Sequence, residues 1–289
     1  MTFQDTIQSK KFVVTAELGP PKGIETAHLV AEAESLRSRI DAMNVTDLQS
    51  SVMRLGSLAV SVLLKQKGIE PIFQLTCRDR NRLALQSDLL SAAALGIENV
   101  LVLTGDHPSM GDHPDAKPVF DLDSVQLLQA AVRLSQGFDM RGNKLEGKAP
   151  SFFLGGVVNP GSEPVSLQIM KMKKKIDAGA QFFQTQAVFD VASFERFVHS
   201  IHDIKTPVIA GIILLKSAAM ARYMNKHVAG ITVPDNLIAQ MEQAGDKRAQ
   251  SIEIAAALIR ALKPMCQGVH IMPLGLHNAI PDVLEASGL

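Results

Sequence analysis

The stretch NVLVLTGDHPSMGDHPDAK (99–117) begins as an apolar strand and then gathers Asp106, His107, Asp112, His113 and Asp115 among glycines and prolines. Such a loop could hold a metal, carry out acid–base chemistry, or simply be a polar surface loop. The metal reading asks for ligands that converge. His107 and His113 are separated by five residues in a Pro- and Gly-rich loop, off any shared helical face, and the chain has no H-E-x-x-H pattern. The expectation is therefore no metal. Acid–base chemistry by Asp106 depends on where the end of this strand lies in the fold.

Short apolar runs alternate with helical patterns along the chain. The strand segments are KFVVTAEL (11–18), AMNVT (42–46), PIFQLT (71–76), NVLVLT (99–104), SFFLGGVV (151–158), QFFQTQ (181–186), PVIAGII (207–213) and GVHIMP (268–273). Several are apolar on both faces, as strands covered on both sides should be. Between them, VQLLQAAVRL (125–134), SIEIAAALIRAL (251–262), Glu25 to Ser38 and Arg82 to Leu95 place apolar residues at helical spacing, with Gly96 positioned to end the last of these. Eight strand–helix units predict an α/β chain folded as one closed (β/α)8 TIM barrel over residues 1–289. An open doubly wound sheet should show G-x-G-x-x-G after its first strand, whereas Glu17 is followed by LGPPKG. Residues 228–247 read as an insertion, with an added helical segment, between the seventh and eighth strands.

Composition excludes several classes of function. Lys plus Arg and Asp plus Glu balance at 29 each, which argues against nucleic acid or a charged membrane surface as partner. The two cysteines, Cys77 and Cys266, are too few for a disulfide framework or a four-ligand zinc site. No apolar run approaches the ~18 residues of a membrane span, and MTFQDTIQSKK lacks the apolar core of a signal peptide, so a cytoplasmic protein is expected. Trp is absent and Tyr occurs once, against twelve Phe and twelve Met, which suits helices packed through aliphatic contacts.

In a barrel of this kind the carboxyl ends of the strands converge on one mouth. Those ends carry Glu17; Asn44, Thr46 and Asp47; Gln74 and Thr76; Thr104 and Asp106; Asn159; and Gln184 and Gln186. Acids and amides around a mouth suit a neutral, hydrogen-bonding heterocycle. In KMKKK (171–175), Lys171, Lys174 and Lys175 share a helix face, which is either solvated or a clamp for phosphate. The methionines of MARYMN (220–225) read as core packing.

TAELGPPKG, QLTCRD, LTGD and KKKIDAGAQFFQTQAVFD, in that order between Phe12 and about His270, give the chain a resemblance to methylenetetrahydrofolate reductases. DHPDAKPVFDLDSVQLL resembles the short bacterial members, without a regulatory extension and in some cases working with partner subunits. The resemblance implies a flavoprotein of one-carbon metabolism, and of methionine biosynthesis, that reduces 5,10-methylenetetrahydrofolate to 5-methyltetrahydrofolate. Its cofactor would be FAD, or FMN, recharged by NADH, NADPH or a partner electron-donor subunit, in a homo- or hetero-oligomer.

Glu17 falls on the family's general acid, Asp106 on the aspartate beside flavin and pterin, and Gln186 on the glutamine that hydrogen-bonds the pterin. Thr46, Gly105, Phe120, Lys174 and Lys175 fall where the family contacts its flavin, with Gln74, Thr104, Asn159 and Lys171 beside them; Met224 falls at the folate site. The chain departs from the family's pattern at Thr104 (commonly arginine), Gln74 (histidine), Gly155 (tyrosine), Asn159 (histidine), and Met220 and Met224 (glutamine and phenylalanine). These departures keep two alternatives open: a flavin-independent tetrahydrofolate methyltransferase or demethylase on the same scaffold, and a subunit of a larger electron-transfer complex.

Overall fold

A computed structural model describes residues 2–9 and 11–289. Eight strands close into a barrel in chain order: β1 (Val13–Leu18), β2 (Ala42–Val45), β3 (Pro71–Thr76), β4 (Asn99–Leu103), β5 (Phe153–Val158), β6 (Phe182–Ala187), β7 (Val208–Ile213) and β8 (Gly268–Met272). Every pairing is parallel, and β8 returns to β1 with Thr15 opposite His270. Seven of the strand segments expected from the sequence contain one of these strands, and β6 runs one residue past the expected 181–186.

Helix α1 (Phe3–Gln8) precedes the barrel. The crossovers are α2 (Ala27–Leu36), α3 (Ser57–Gln66), α4 (Arg82–Ala94), α5 (Ser124–Ser135), α6 (Val165–Asp177) and α7 (Val191–Ser200). Three helices follow β7: α8 (Ala218–His227), α9 (Asp235–Gln243) and α10 (Lys247–Leu262). Helix α11 (Ile280–Ser287) ends the chain, and α9 is the added segment expected between residues 228 and 247. None of the described helices is long and apolar enough to cross a membrane.

Local chemistry sets the helix ends. Asn81 caps α4 by accepting from the Leu83 and Ala84 amides at 3.1 Å, and Gly96, at φ +78°, lets the Ile97 amide reach back to the Ala92 carbonyl at 2.9 Å. Asp123 and Gln126 form a reciprocal capping box at the start of α5, with bonds of 2.8 and 3.0 Å.

Alternation along each strand sends every second side chain into the barrel. The lowest interior layer is apolar: Val13, Ala42, Ile72, Leu101, Phe153, Phe182 and Ile209, plugged from below by Phe3 and Ile7 of α1. The Phe3 ring stands edge-on to Phe153 and Phe182 at 6.0 and 5.5 Å. A side chain at Gly155 would place its Cβ 2.3 Å from the Phe182 ring. That crowding explains why glycine stands there, where the family resemblance leads one to expect tyrosine. Above this layer the interior turns polar.

Cys77 and Cys266 are buried free thiols. Burial, helped by nearby Asp123, pushes Cys77 up to about 12, and burial pushes Cys266 up to about 11. The nucleophilic thiolate is thus suppressed at both. Ellman's reagent at pH 8 is expected to titrate neither thiol in the folded protein and both after denaturation. Rapid reaction before unfolding would contradict the packing described.

Candidate functional site

Glu17 faces the barrel interior one residue before the end of β1 and is 9% exposed. The Gln49 side-chain amide donates to its Oε1 at 2.9 Å. His270 of β8 brings Nε2 to 3.8 Å from its Oε2, and His277 Nε2 lies 3.2 Å from the Glu17 carbonyl. One layer lower, Asn44 and Gln184 exchange amide hydrogen bonds of 2.7 and 3.0 Å, and Gln184 also reaches Thr15 Oγ1 at 3.4 Å. Thr15 in turn contacts His270 Nδ1 at 3.0 Å. A hydrogen-bonded chain therefore runs through the barrel to His270, whose Nε2 stands 3.8 Å from the Glu17 carboxyl.

Asp47, an acid expected at the mouth, is fully buried and serves the scaffold. It accepts from the Thr76 amide and hydroxyl, both at 2.9 Å, and from two nitrogens of Arg80 at 2.8 and 3.1 Å. Burial works against the Arg80 charge, but the hydrogen bond and attraction from Asp47, with Asp88 and Asp79, hold the guanidinium above its ordinary value.

Asp106 follows β4 on an exposed loop, and its carboxylate has no ion-pair partner among the described residues. Its backbone is fixed instead. Ser51 Oγ donates to the Asp106 carbonyl at 3.0 Å and Arg78 Nη1 donates to it at 3.3 Å. Arg78 is 2% exposed, and it also donates to the Leu48 carbonyl, Ser51 Oγ and the Asp79 carboxylate. One guanidinium thus ties the loops after β2, β3 and β4 together. Gly105 (φ +92°) lies against it; a Cβ there would be 3.1 Å from Arg78 Cβ.

The two loop histidines have local partners. His107 Nδ1 accepts from the Ser109 amide, and its ring stacks on Phe120 at 6.5 Å. His113 pairs with Asp112 at 2.9 Å, and Asp112 also takes Lys22 Nζ and the Met53 amide. Those donors, Lys22 first, hold the Asp112 carboxyl well below the usual carboxylate range. Among the described residues no three His, Cys, Asp or Glu side chains converge as a metal set.

Gln186 sits where the β6–β7 register shifts between Gln184 and Ala187. Such an irregularity re-aims a side chain. Its Oε1 accepts from the Ala187 amide at 3.0 Å. Since β1, β4 and β6 are spaced around a closed barrel, Glu17, Asp106 and Gln186 approach the mouth from three sides.

Thr46 Oγ1 is buried at the end of β2 without a hydrogen-bond partner among the described residues. Gln74 is buried in the barrel interior, whereas Thr104 is exposed at the end of β4. Phe120 is half-buried at φ +39°. Lys171 and Lys174 are exposed on α6 without ion-pair partners among the described residues. Lys175 instead turns inward and donates to the Val157 carbonyl at 2.6 Å. Burial first, then Lys171, lowers it to about 8, opposed by Asp123. Asn159 binds across to the Ala229 carbonyl at 3.1 Å, joining the loop after β5 to the segment after α8.

Met224 is 5% exposed and packs into the core beneath α8, with Met220 half-buried against the same core. The core-packing reading of MARYMN thus describes Met224 better than a folate-facing role.

Arg78, His270, Thr15, Gln49 and His277 were not singled out by sequence. Thr15 shares the inward parity of Glu17, and His270 alternates inward in GVHIM, so parity along the strands could have found both. Nothing in QLTCRD marks Arg78 for burial.

The sequence model of the family described as methylenetetrahydrofolate reductase matches residues 2–288. A Caenorhabditis elegans protein named probable methylenetetrahydrofolate reductase (NADPH) is 24% identical over 86% of this chain and 36% of its own length. Methylenetetrahydrofolate reductase 2 of Schizosaccharomyces pombe is 27% identical over 99% of this chain and 47% of its own. The chain thus spans less than half the length of these relatives. Among solved structures, EDTA monooxygenase from Chelativorans sp. BNC1 superposes with a TM-score of 0.58 at 13% identity, covering 96% of this chain and 92% of that one, a likeness of fold alone. The chain belongs to the methylenetetrahydrofolate reductase family.

Proposed function

We propose that this chain reduces 5,10-methylenetetrahydrofolate to 5-methyltetrahydrofolate, with a flavin as its redox cofactor and NADH, NADPH or a partner subunit as electron source. The observation that carries the reading is Glu17, nearly buried inside the carboxyl-terminal mouth of a barrel that the family model matches along its length.

The donor set suits a flavin nucleotide. Among the described residues, Thr46 Oγ1 is a buried polar atom lacking a partner, and Lys171 and Lys174, without ion-pair partners, offer charge for phosphates. When bound and reduced, flavin supplies a hydride.

The protein's own residues prepare the acceptor. Methylenetetrahydrofolate is a cyclic aminal whose bridging carbon cannot accept hydride until the ring opens. Glu17 donates its proton to N10 as the bond from N10 to the bridging carbon breaks, with the electron pair staying on nitrogen. The remaining N5-iminium is a strong hydride acceptor, and the Asp106 carboxylate opposes its positive charge. Gln186, from the irregular end of β6, hydrogen-bonds the pterin and holds it against the acid.

The test is anaerobic: flavin-loaded protein, reduced with dithionite, is mixed with methylenetetrahydrofolate. Reoxidation with formation of 5-methyltetrahydrofolate is expected. Flavin that stays reduced removes the proposal.

Lys175 adds a pH dependence. Its charge is lost as pH rises through about 8, so attraction to a cofactor phosphate weakens there. Because its folded value lies below the unfolded one, the fold itself gains stability over the same rise. FAD affinity, read by fluorescence quenching, is expected to fall about fivefold between pH 7 and 9, the equivalent of about 1 kcal/mol. Lys175→Met should flatten that dependence.

A further inference from the structure

The barrel interior carries a hydrogen-bond chain that ends on His270, where its direction turns on the tautomer of the ring. Asn44 Nδ2 donates to Gln184 Oε1 at 2.7 Å, which leaves the Gln184 amide nitrogen to donate to Asn44 Oδ1 and to Thr15 Oγ1. The Thr15 hydroxyl, accepting from Gln184, is free to donate to His270 Nδ1 at 3.0 Å. A neutral imidazole that accepts at Nδ1 carries its proton on Nε2. His270 is 4% exposed and points that Nε2 toward Glu17 Oε2, 3.8 Å away, while Gln49 donates to the other oxygen at 2.9 Å. Hydrogen bonds between catalytic groups are often long before ligand binds and shorten in the complex.

We propose that His270, oriented by Thr15, Gln184 and Asn44, is a positioning residue for Glu17: its Nε2–H fixes the carboxyl and stabilises the carboxylate that forms as the proton leaves. The inference rests on Glu17 acting as the acid. Proton donation turns a neutral carboxyl into a carboxylate, so a preset N–H gains strength in the transition state. Loss of the donor should therefore slow the step that uses Glu17 and leave ligand binding nearly intact. Gln49 keeps one oxygen anchored, so the loss is partial.

The experiment separates the two half-reactions in protein loaded with FAD. His270→Leu is expected to slow folate-driven reoxidation about 10- to 100-fold, below the 10²–10³ of a donor in direct contact with the reacting group. Reduction by NADH or NADPH, and the Kd for methylenetetrahydrofolate, should stay within about twofold of wild type. His270→Gln, whose Nε2–H can stand where the imidazole Nε2–H stood, should recover most of the lost rate. Equal losses in both half-reactions, or an unaffected reoxidation rate, overturn the proposal.

A second readout does not depend on turnover. Nitrogen-15 NMR of histidine-labelled protein, at a pH where the ring is neutral, should show His270 as the Nε2–H tautomer, and Thr15→Val should disturb that preference. An Nδ1–H tautomer in wild type overturns the proposal. Failure of wild type to reoxidise with folate would instead sink the functional reading, with the tautomer still deciding whether the chain runs as argued.

Discussion

Glu17→Gln is expected to abolish nearly all folate-driven reoxidation while leaving a folded protein that still binds flavin. The substitution keeps size and shape at a nearly buried site, and the glutamine Oε1 can still accept from Gln49 at the position where Glu17 does. It removes only the transferable proton. General acid catalysis contributes about 10²- to 10⁴-fold, so the single-turnover rate should fall by that factor. Stopped-flow absorbance of the reduced flavin reads it directly. Magnitude separates the possible roles. A Glu17 that only hydrogen-bonds the substrate would raise its Kd about tenfold or less and leave the rate constant alone. Unchanged turnover would remove Glu17 from the mechanism. Reduction by the electron donor needs no proton on N10 and should survive the substitution.

The eight strands were legible because a covered parallel strand writes itself as a short apolar run, and eight runs separated by helical spacing leave few topologies. Glu17 and Gln186 were legible for a related reason: they end such runs, and the carboxyl end of a barrel strand has only one mouth to face. Their partners were not. Thr15 and His270 meet across 255 positions of sequence because β8 closes onto β1, a pairing that exists only once the barrel is shut. Arg78 looks in sequence like any surface arginine. It is buried because Leu48, Ser50 and Ser51 adopt positive φ and turn polar groups toward it. The same limit explains Asp47 and Met224. Residue type and position suggested a mouth, but the direction of each side chain depends on neighbours supplied by other elements, Thr76 and Arg80 in one case and the core under α8 in the other.

Asp47→Ala should show the opposite pattern to Glu17→Gln: a large loss of stability with the chemistry of the surviving folded molecules little changed. The Asp47 carboxylate is fully buried and takes four hydrogen bonds, two from Thr76 and two from Arg80. Removing it strands the Thr76 amide at the end of β3 and leaves a largely buried guanidinium with Asp88 as its remaining ion-pair partner among the described residues. Breaking a buried pair from one side costs about 3–5 kcal/mol, because the other charge keeps its desolvation penalty. Against a typical total of about 5–15 kcal/mol, that is a fifth or more of the stability of the fold. Urea unfolding should show a midpoint lowered in proportion, with the slope unchanged. The double variant Asp47→Ala/Arg80→Met should be more stable than Asp47→Ala alone, since it removes the stranded charge. If Asp47→Ala instead unfolds like wild type and loses turnover, Asp47 belongs to the chemistry after all, and the division drawn between scaffold acid and catalytic acid at this mouth is wrong.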